Sequence, residues 1–209
     1  MQNGPWAQIL MLGVGLTVAK LWLDDFRAQR SGSPNPRALP GATSAKARAV
    51  IIAGLGGFVI VGVETWGEQA LGISGEQSKM TALFAAYTLV AALIEEIIFR
   101  GYVVLDKRGK LTLWASVLGA SLLFTLLHPF LWTWAGGMPW NDGKLSWTLG
   151  RKGWFSSAAV FVSSLWFYFV RFTRFNPQRS LLPCFAAHAS KNIGVITIKA
   201  AQGFLSGWY

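Results

Sequence analysis

Three charged residues lie close together inside a segment that is long and apolar enough to cross a lipid bilayer. Residues 80–105 read MTALFAAYTLVAALIEEIIFRGYVVL, and Glu95, Glu96 and Arg100 fall within six positions of one another. A charged side chain at the centre of a membrane costs roughly 2.5–3.5 kcal/mol on insertion scales. Such a cluster therefore requires a partner, a water-filled cavity or a reaction that stabilises its charges.

The rest of the chain has the composition of a membrane protein. Hydrophobic residues make up 53% of the sequence and charged residues only 13%, against about 25% charged residues in ordinary soluble domains. The apolar residues fall into six long blocks, each a candidate membrane span: 6–23, 50–66, 80–105, 111–128, 154–170 and 181–200. This pattern predicts an all-α, polytopic transmembrane helix bundle with about six membrane spans. The first block is interpreted as a retained span and not as a cleaved signal peptide.

The basic residues are concentrated in alternate connections between the blocks. Eleven lie in the first, third and fifth connections: Arg27, Arg30, Arg37, Lys46, Arg48, Lys107, Arg108, Lys110, Arg171, Arg174 and Arg179. The other connections hold four: Lys79, Lys144, Arg151 and Lys152. This asymmetry predicts that the odd-numbered connections are cytoplasmic and that both termini lie outside. The net charge of +10 therefore reflects topology and lipid contact, and no nucleic-acid partner is expected. The aromatic segment 130–147 is expected at the outer surface.

Helical geometry separates the two adjacent glutamates. Glu96 and Arg100 are four residues apart, so they share one face of an α-helix and can form an ion pair. Glu95 is rotated by about 100° from Glu96 and is left free by that pair. The simplest interpretation of Glu96 and Arg100 is accordingly a buried structural ion pair.

Both histidines of the chain fall in candidate spans, and each has a partner at helical spacing. Phe124 and His128 are four residues apart near the end of the fourth span, and His188 and Asn192 are four apart in the sixth. Membrane histidines and asparagines often serve only as hydrogen-bonding residues between helices, and that alternative stays open at this point.

These three spacings together resemble those of a known family. EEIIFR at 95–100 is similar to the EExxxR motif of the CPBP intramembrane proteases, also called the ABI family, which includes the CAAX prenyl endopeptidases. FTLLH at 124–128 and HASKN at 188–192 match the family's FxxxH and HxxxN motifs, in the same order. The resemblance divides the chain into N-terminal spans with a basic linker at 1–79, a protease core at 80–200 and a tail at 201–209.

The resemblance implies a metal-independent intramembrane glutamic endopeptidase with no cofactor. In the catalytic roles that it implies, Glu95 removes a proton from water, His128 holds the same water, and His188 with Asn192 stabilises the oxyanion. Glu96, Arg100 and Phe124 would support these groups. The implied substrate is a protein or peptide in or on the membrane. The prenylated substrate of the best-known relatives is not carried over, because no residues in the sequence indicate a prenyl pocket. The implied location is a bacterial inner membrane.

Three other functions are compatible with the residues. A metal-dependent membrane protease would use Glu95, His128 and His188 as ligands, although the chain has no HExxH sequence. A non-catalytic protein, of the bacteriocin self-immunity or scaffolding type, would retain the motifs for binding or structure. A transporter would use Glu95 as a proton relay, but no inverted repeat supports that function.

Overall fold

A computed structural model describes residues 4–136 and 143–209 of the chain. The described residues form six α-helices: α1 Pro5–Arg30, α2 Ala47–Ala70, α3 Ala82–Glu95, α4 Lys110–Leu127, α5 Arg151–Phe172 and α6 Leu182–Ala201. A single 3₁₀ turn, Ser74–Glu76, lies between α2 and α3. Two short antiparallel strands, β1 Trp132–Ala135 and β2 Lys144–Trp147, pair between α4 and α5. The predicted all-α helix bundle is confirmed. Part of the aromatic segment 130–147 lies outside the described residues.

Five helices are long and apolar enough to cross a membrane, namely α1, α2, α3 with its continuation to Val103, α4 and α5. Apolar side chains such as Leu10, Val59 and Leu118 are exposed on these helices, which suits surfaces that face lipid. The helix α6 has 20 residues, but His188, Lys191 and Asn192 reduce its hydropathy. The chain is therefore an integral membrane protein, and its sixth predicted span is not among the helices that meet both conditions for crossing the membrane.

The end of the third span differs from the prediction of one continuous α-helix over 80–105. From Glu96 to Val103 the chain continues as a π-helix, in which hydrogen bonds join residues five apart. This wider helix changes the direction in which successive side chains point, and it ends two residues earlier than the apolar block. Segments of this kind are rare and frequently occur at functional sites.

The α4 helix ends directly before His128. Pro129 disfavours a helical conformation in the preceding residue, and His128 has φ −88° and ψ 118°, which is extended backbone. The imidazole is thus held at the point where the chain leaves the helix.

Small residues bring α2 and α6 into the most extensive helix contact among the described residues. Ala53 is fully buried, and a Cβ atom at Gly57 would clash with the carbonyl group of Ala187 on α6. Close approach through glycine and alanine is a common way to pack helices in membranes. The α2 helix therefore supports the helix that carries His188 and Asn192.

The C-terminal segment contacts the start of α3. The backbone N–H of Met80 donates to Phe204 O at 2.8 Å, and Ser206 N–H donates to Met80 O at 2.8 Å. Thr81 then caps α3 by accepting a hydrogen bond from Phe84 N–H at 3.2 Å. The α2–α3 connection and the segment after α6 are thereby joined at one end of the bundle.

Candidate active site

One cavity of about 760 Å³ brings together the four residues that the sequence predicts to be catalytic. Glu95, His128, His188 and Asn192 all line it, although they come from α3, the end of α4 and α6. Apolar and polar side chains share the lining, so the cavity has room and hydrogen-bonding groups for water and an extended peptide.

His188 lies between the two adjacent glutamates. Its Nδ1 atom is 2.7 Å from Glu96 Oε1, and its Nε2 atom is 3.7 Å from Glu95 Oε2. Because Glu96 Oε1 also faces the Arg100 guanidinium, this oxygen is an acceptor and His188 Nδ1 carries the hydrogen. The ring stacks on Phe167 with 4.7 Å between centroids. Its orientation is thus fixed, and Nε2 is directed toward Glu95.

Glu96 and Arg100 form the expected ion pair in the interior. Glu96 Oε1 and Arg100 Nη1 are 3.2 Å apart, and both side chains are fully buried. Arg100 Nη2 also donates to Ser164 Oγ at 2.8 Å. Four aromatic rings surround the guanidinium at 4.5–5.9 Å: Phe99, Phe124, Phe167 and Tyr168. Aromatic faces attract a desolvated cation, so the rings stabilise Arg100 together with the carboxylate.

Side chains of α5 bind the backbone of the π-helix. Tyr168 OH donates to Phe99 O at 2.7 Å, and Arg171 Nη1 donates to Arg100 O. Tyr168 was not singled out from the sequence, and Arg171 was assigned to the fifth connection, whereas it lies in the last turn of α5 and is buried. Ser164, Tyr168 and Arg171 are separated by four and three positions on an apolar helix, so their helical periodicity was a signal that could have identified this face.

His128 is positioned by Phe124, one helical turn before it. Its Nδ1 atom is 2.8 Å from Phe124 O, and a carbonyl oxygen can only accept, so Nδ1 carries the hydrogen. The Nε2 atom of a neutral ring is then an acceptor. The Phe124 ring centroid lies 4.7 Å from that of His128 and 6.2 Å from that of His188. Phe124 therefore separates and orients both imidazoles.

Asn192 retains a hydrogen-bond donor for the cavity. Its Nδ2 group donates one hydrogen to Thr88 O at 3.0 Å. An amide nitrogen carries two hydrogens, so a second N–H remains while the first fixes the side chain against α3.

Two further ion pairs line the cavity and were not predicted. Lys191 Nζ is 3.2 Å from Glu64 Oε2, and Lys152 pairs with Glu68, which is itself buried. Each pair joins α2 to a later helix. The spacing of residues within one helix therefore could not predict these ion pairs. Among residues 4–136 and 143–209, no group of three His, Cys, Asp or Glu side chains is arranged to hold a metal ion.

Comparison with known families supports the resemblance drawn from the motifs. A family model described as type II CAAX prenyl endopeptidase Rce1-like matches residues 77–194, more than half of the chain. The matched region contains all three motif segments, whereas comparison with curated proteins and with solved structures gave no match. The chain therefore belongs to the Rce1-like family of type II CAAX prenyl endopeptidases, and the CPBP membership predicted from its motifs is confirmed.

Proposed function

We propose that this chain is an intramembrane endopeptidase that hydrolyses a peptide bond in a membrane-embedded or membrane-associated protein or peptide. The observation that carries the proposal is the convergence of Glu95, His128, His188 and Asn192 on one cavity inside the helix bundle. Family membership supports the reaction class. The three segments at 1–79, 80–200 and 201–209 would then be N-terminal support, catalytic core and tail.

In the proposed reaction, water is activated by two acceptors. The carboxylate of Glu95 accepts one hydrogen of the water, and His128 Nε2 accepts the other, since its Nδ1 is bound to Phe124 O. The water oxygen attacks the carbonyl carbon of the substrate while its proton moves to Glu95. General base catalysis of this kind contributes typically about 10²–10⁴-fold to the rate.

The tetrahedral intermediate carries its negative charge on the former carbonyl oxygen. The second N–H of Asn192 and the Nε2–H of a protonated His188 are the proposed donors to this oxyanion. When the intermediate collapses, the C–N bond breaks and Glu95 returns its proton to the departing amine. The products are a carboxylic acid and an amine, which become a carboxylate and an ammonium group by proton exchange with water, and Glu95 regains its initial state.

The proposed role of Glu96 and Arg100 is to hold His188 in place. Glu96 Oε1 contacts both Arg100 and His188 Nδ1, so the buried ion pair fixes one nitrogen of the imidazole and leaves the other for catalysis. Phe124 does the same for His128 by packing. None of these three residues needs to contact the reacting atoms.

The proposed mechanism uses no metal and does not require a prenyl group. Glu96 is bound by both Arg100 and His188, and each imidazole uses its Nδ1 atom for a protein contact, so Glu95 and the two Nε2 atoms are the groups left open to water or a metal. A metal-dependent rival would need Glu95, His128 and His188 as a ligand set. Chelation distinguishes the two mechanisms directly.

The test is cleavage of a membrane-peptide library by the purified protein in detergent, with and without a strong chelator. We expect Glu95→Gln to lose about 10²–10⁴-fold in rate, and the chelator to leave wild-type cleavage unchanged. Glu76→Gln is the matched control, because Glu76 lines the same cavity but is exposed and lies outside the motifs. Full cleavage by Glu95→Gln would refute the proposal, and loss with chelator that zinc restores would favour the metal-dependent rival.

A further inference from the structure

The lining of the cavity includes inter-helix connections from only one end of the described bundle, and we take this end as its entrance. Its lining there comes from the α2–α3 connection, the residues after α4, the start of α5 and the end of α6: residues 76–80, Pro129, Phe130, Lys152, Gly153, Ile198 and Lys199. No described lining residue comes from the α1–α2, α3–α4 or α5–α6 connection. Successive connections between helices therefore lie at alternate ends of the bundle. The entrance is at the end that contains the even-numbered connections.

The opposite end of the bundle is closed by buried polar contacts. Asn176, which is 1% exposed, donates to Ser180 O at 2.8 Å and accepts from Ser180 N–H at 3.0 Å. Leu181 is fully buried, and its N–H donates to Gly41 O at 3.0 Å. The bond from Leu181 to Gly41 joins the fifth connection to the first. A peptide entering from this end would have to break these contacts.

The closed end is also the basic end. Eleven of the nineteen Lys and Arg residues lie in its connections or at the adjoining helix ends, whereas five lie at the entrance: Lys79, Lys144, Arg151, Lys152 and Lys199. Short loops rich in Lys and Arg remain in the cytoplasm, and this bias sets the orientation of a multi-span protein. The charge distribution thus places the closed end inside the cell and the entrance on the other side of the membrane.

We propose that the catalytic cavity opens on the extracytoplasmic side, and that it admits an extended segment of a membrane-associated protein exposed on that side. The substrate class rests on the proposed function, whereas the side of the entrance rests on the charges and the cavity alone. Cytoplasmic protein tails are excluded as substrates by this assignment, because the cytoplasmic end offers no path to Glu95.

Single cysteines test the orientation without any need for activity. Ser78→Cys lies at the entrance and Ser33→Cys lies in the α1–α2 connection, and both serines are exposed. The unsubstituted protein is the blank, because its Cys184 is fully buried. Each variant is treated with a membrane-impermeant maleimide in right-side-out and in inside-out membrane vesicles, and labelling of each in detergent confirms that the thiol is reactive.

We expect labelling of Ser78→Cys only in right-side-out vesicles and of Ser33→Cys only in inside-out vesicles. The reverse pattern, or labelling of both positions from one side, would overturn the assignment. A second pair, Glu76→Cys and Arg37→Cys, repeats the measurement if the first pair does not fold.

A bulky adduct then tests peptide entry. On Ser78→Cys it should abolish cleavage of a library peptide, and on Ser33→Cys it should leave cleavage unchanged. If both adducts leave cleavage unchanged, peptide entry at this entrance is refuted. The labelling result still shows on which side of the membrane the entrance lies. If no form of the protein cleaves, the proposed function fails and the orientation result stands separately.

Discussion

Glu95, the last residue of α3, and Glu96, the first residue of the π-helix, are the same type of side chain in two very different environments. Glu95 is 33% exposed in the cavity, and its nearest ionic partner is His188 Nε2 at 3.7 Å. Glu96 is fully buried and contacts both Arg100 and His188 Nδ1. The first carboxylate is thus accessible to water and substrate, whereas the second is enclosed by its partners.

This difference shows how adjacent residues can divide reaction and support. The helix rotates between the two positions, so one carboxylate faces the cavity and the other faces the interior. His188 contacts both and connects the two regions. We therefore expect substitutions on the cavity side to change the rate of cleavage, and substitutions on the interior side to change stability first.

The largest effect on stability is expected for Glu96→Gln. This change leaves the buried Arg100 guanidinium without a carboxylate, and breaking a buried ion pair in this way costs about 3–5 kcal/mol. The free energy of unfolding can be measured by titrating detergent micelles with SDS. The double variant Glu96→Gln with Arg100→Met should recover most of that stability, because it removes both charges. A loss of equal size in Glu95→Gln would contradict the division between the two regions.

The next effect is expected for Asn192→Ala, on the cavity side. Removal of one oxyanion donor typically lowers kcat by about 10²–10³-fold. Steady-state kinetics should show this loss in kcat with little change in KM, and unfolding should change much less than in Glu96→Gln. Thr88→Val is the matched control, because it retains the carbonyl group that Asn192 contacts. If Thr88→Val lowers kcat as strongly, Asn192 acts through packing and not through its N–H group.

The smallest effect is expected for Phe124→Leu, which lies between the two regions. The ring contacts His128, His188 and Arg100, and aromatic contacts of this kind are worth about 0.5–1.5 kcal/mol. We expect a loss of up to about tenfold in kcat and a similar small loss of stability. Phe84→Leu, at a second phenylalanine that lines the cavity, should leave kcat near the wild-type value. An unchanged kcat in Phe124→Leu would show that the imidazoles do not depend on this ring.

The sequence contained enough information to predict the helices and the contacts within each helix. Apolar length predicted the spans, and spacing of four residues predicted that Glu96 faces Arg100 and that Phe124 lies beside His128. Pro129, which disfavours a helical conformation at His128, is a local signal of the same kind for the end of α4. These features depend on local geometry, which a single segment determines.

The contacts between helices could not be predicted from the sequence. The bond from Glu96 to His188 joins residues 92 positions apart, and the Glu64–Lys191 pair joins α2 to α6. Such contacts depend on the relative rotation and depth of packed helices. The spacing of residues within one helix does not determine either quantity. The π-helix was also missed, because the wider helix is stabilised by side chains of α5 that bind its carbonyl groups.

The close packing of α2 against α6 at Gly57 determines which residues a shortened form of this protein must contain. The helix α2 lies entirely before residues 77–194, yet it is the surface on which α6 rests. A fragment cut to those boundaries would keep every motif and expose the bare flank of α6 to lipid. A shortened form that is to fold must therefore include α2, although this helix contains none of the three motifs.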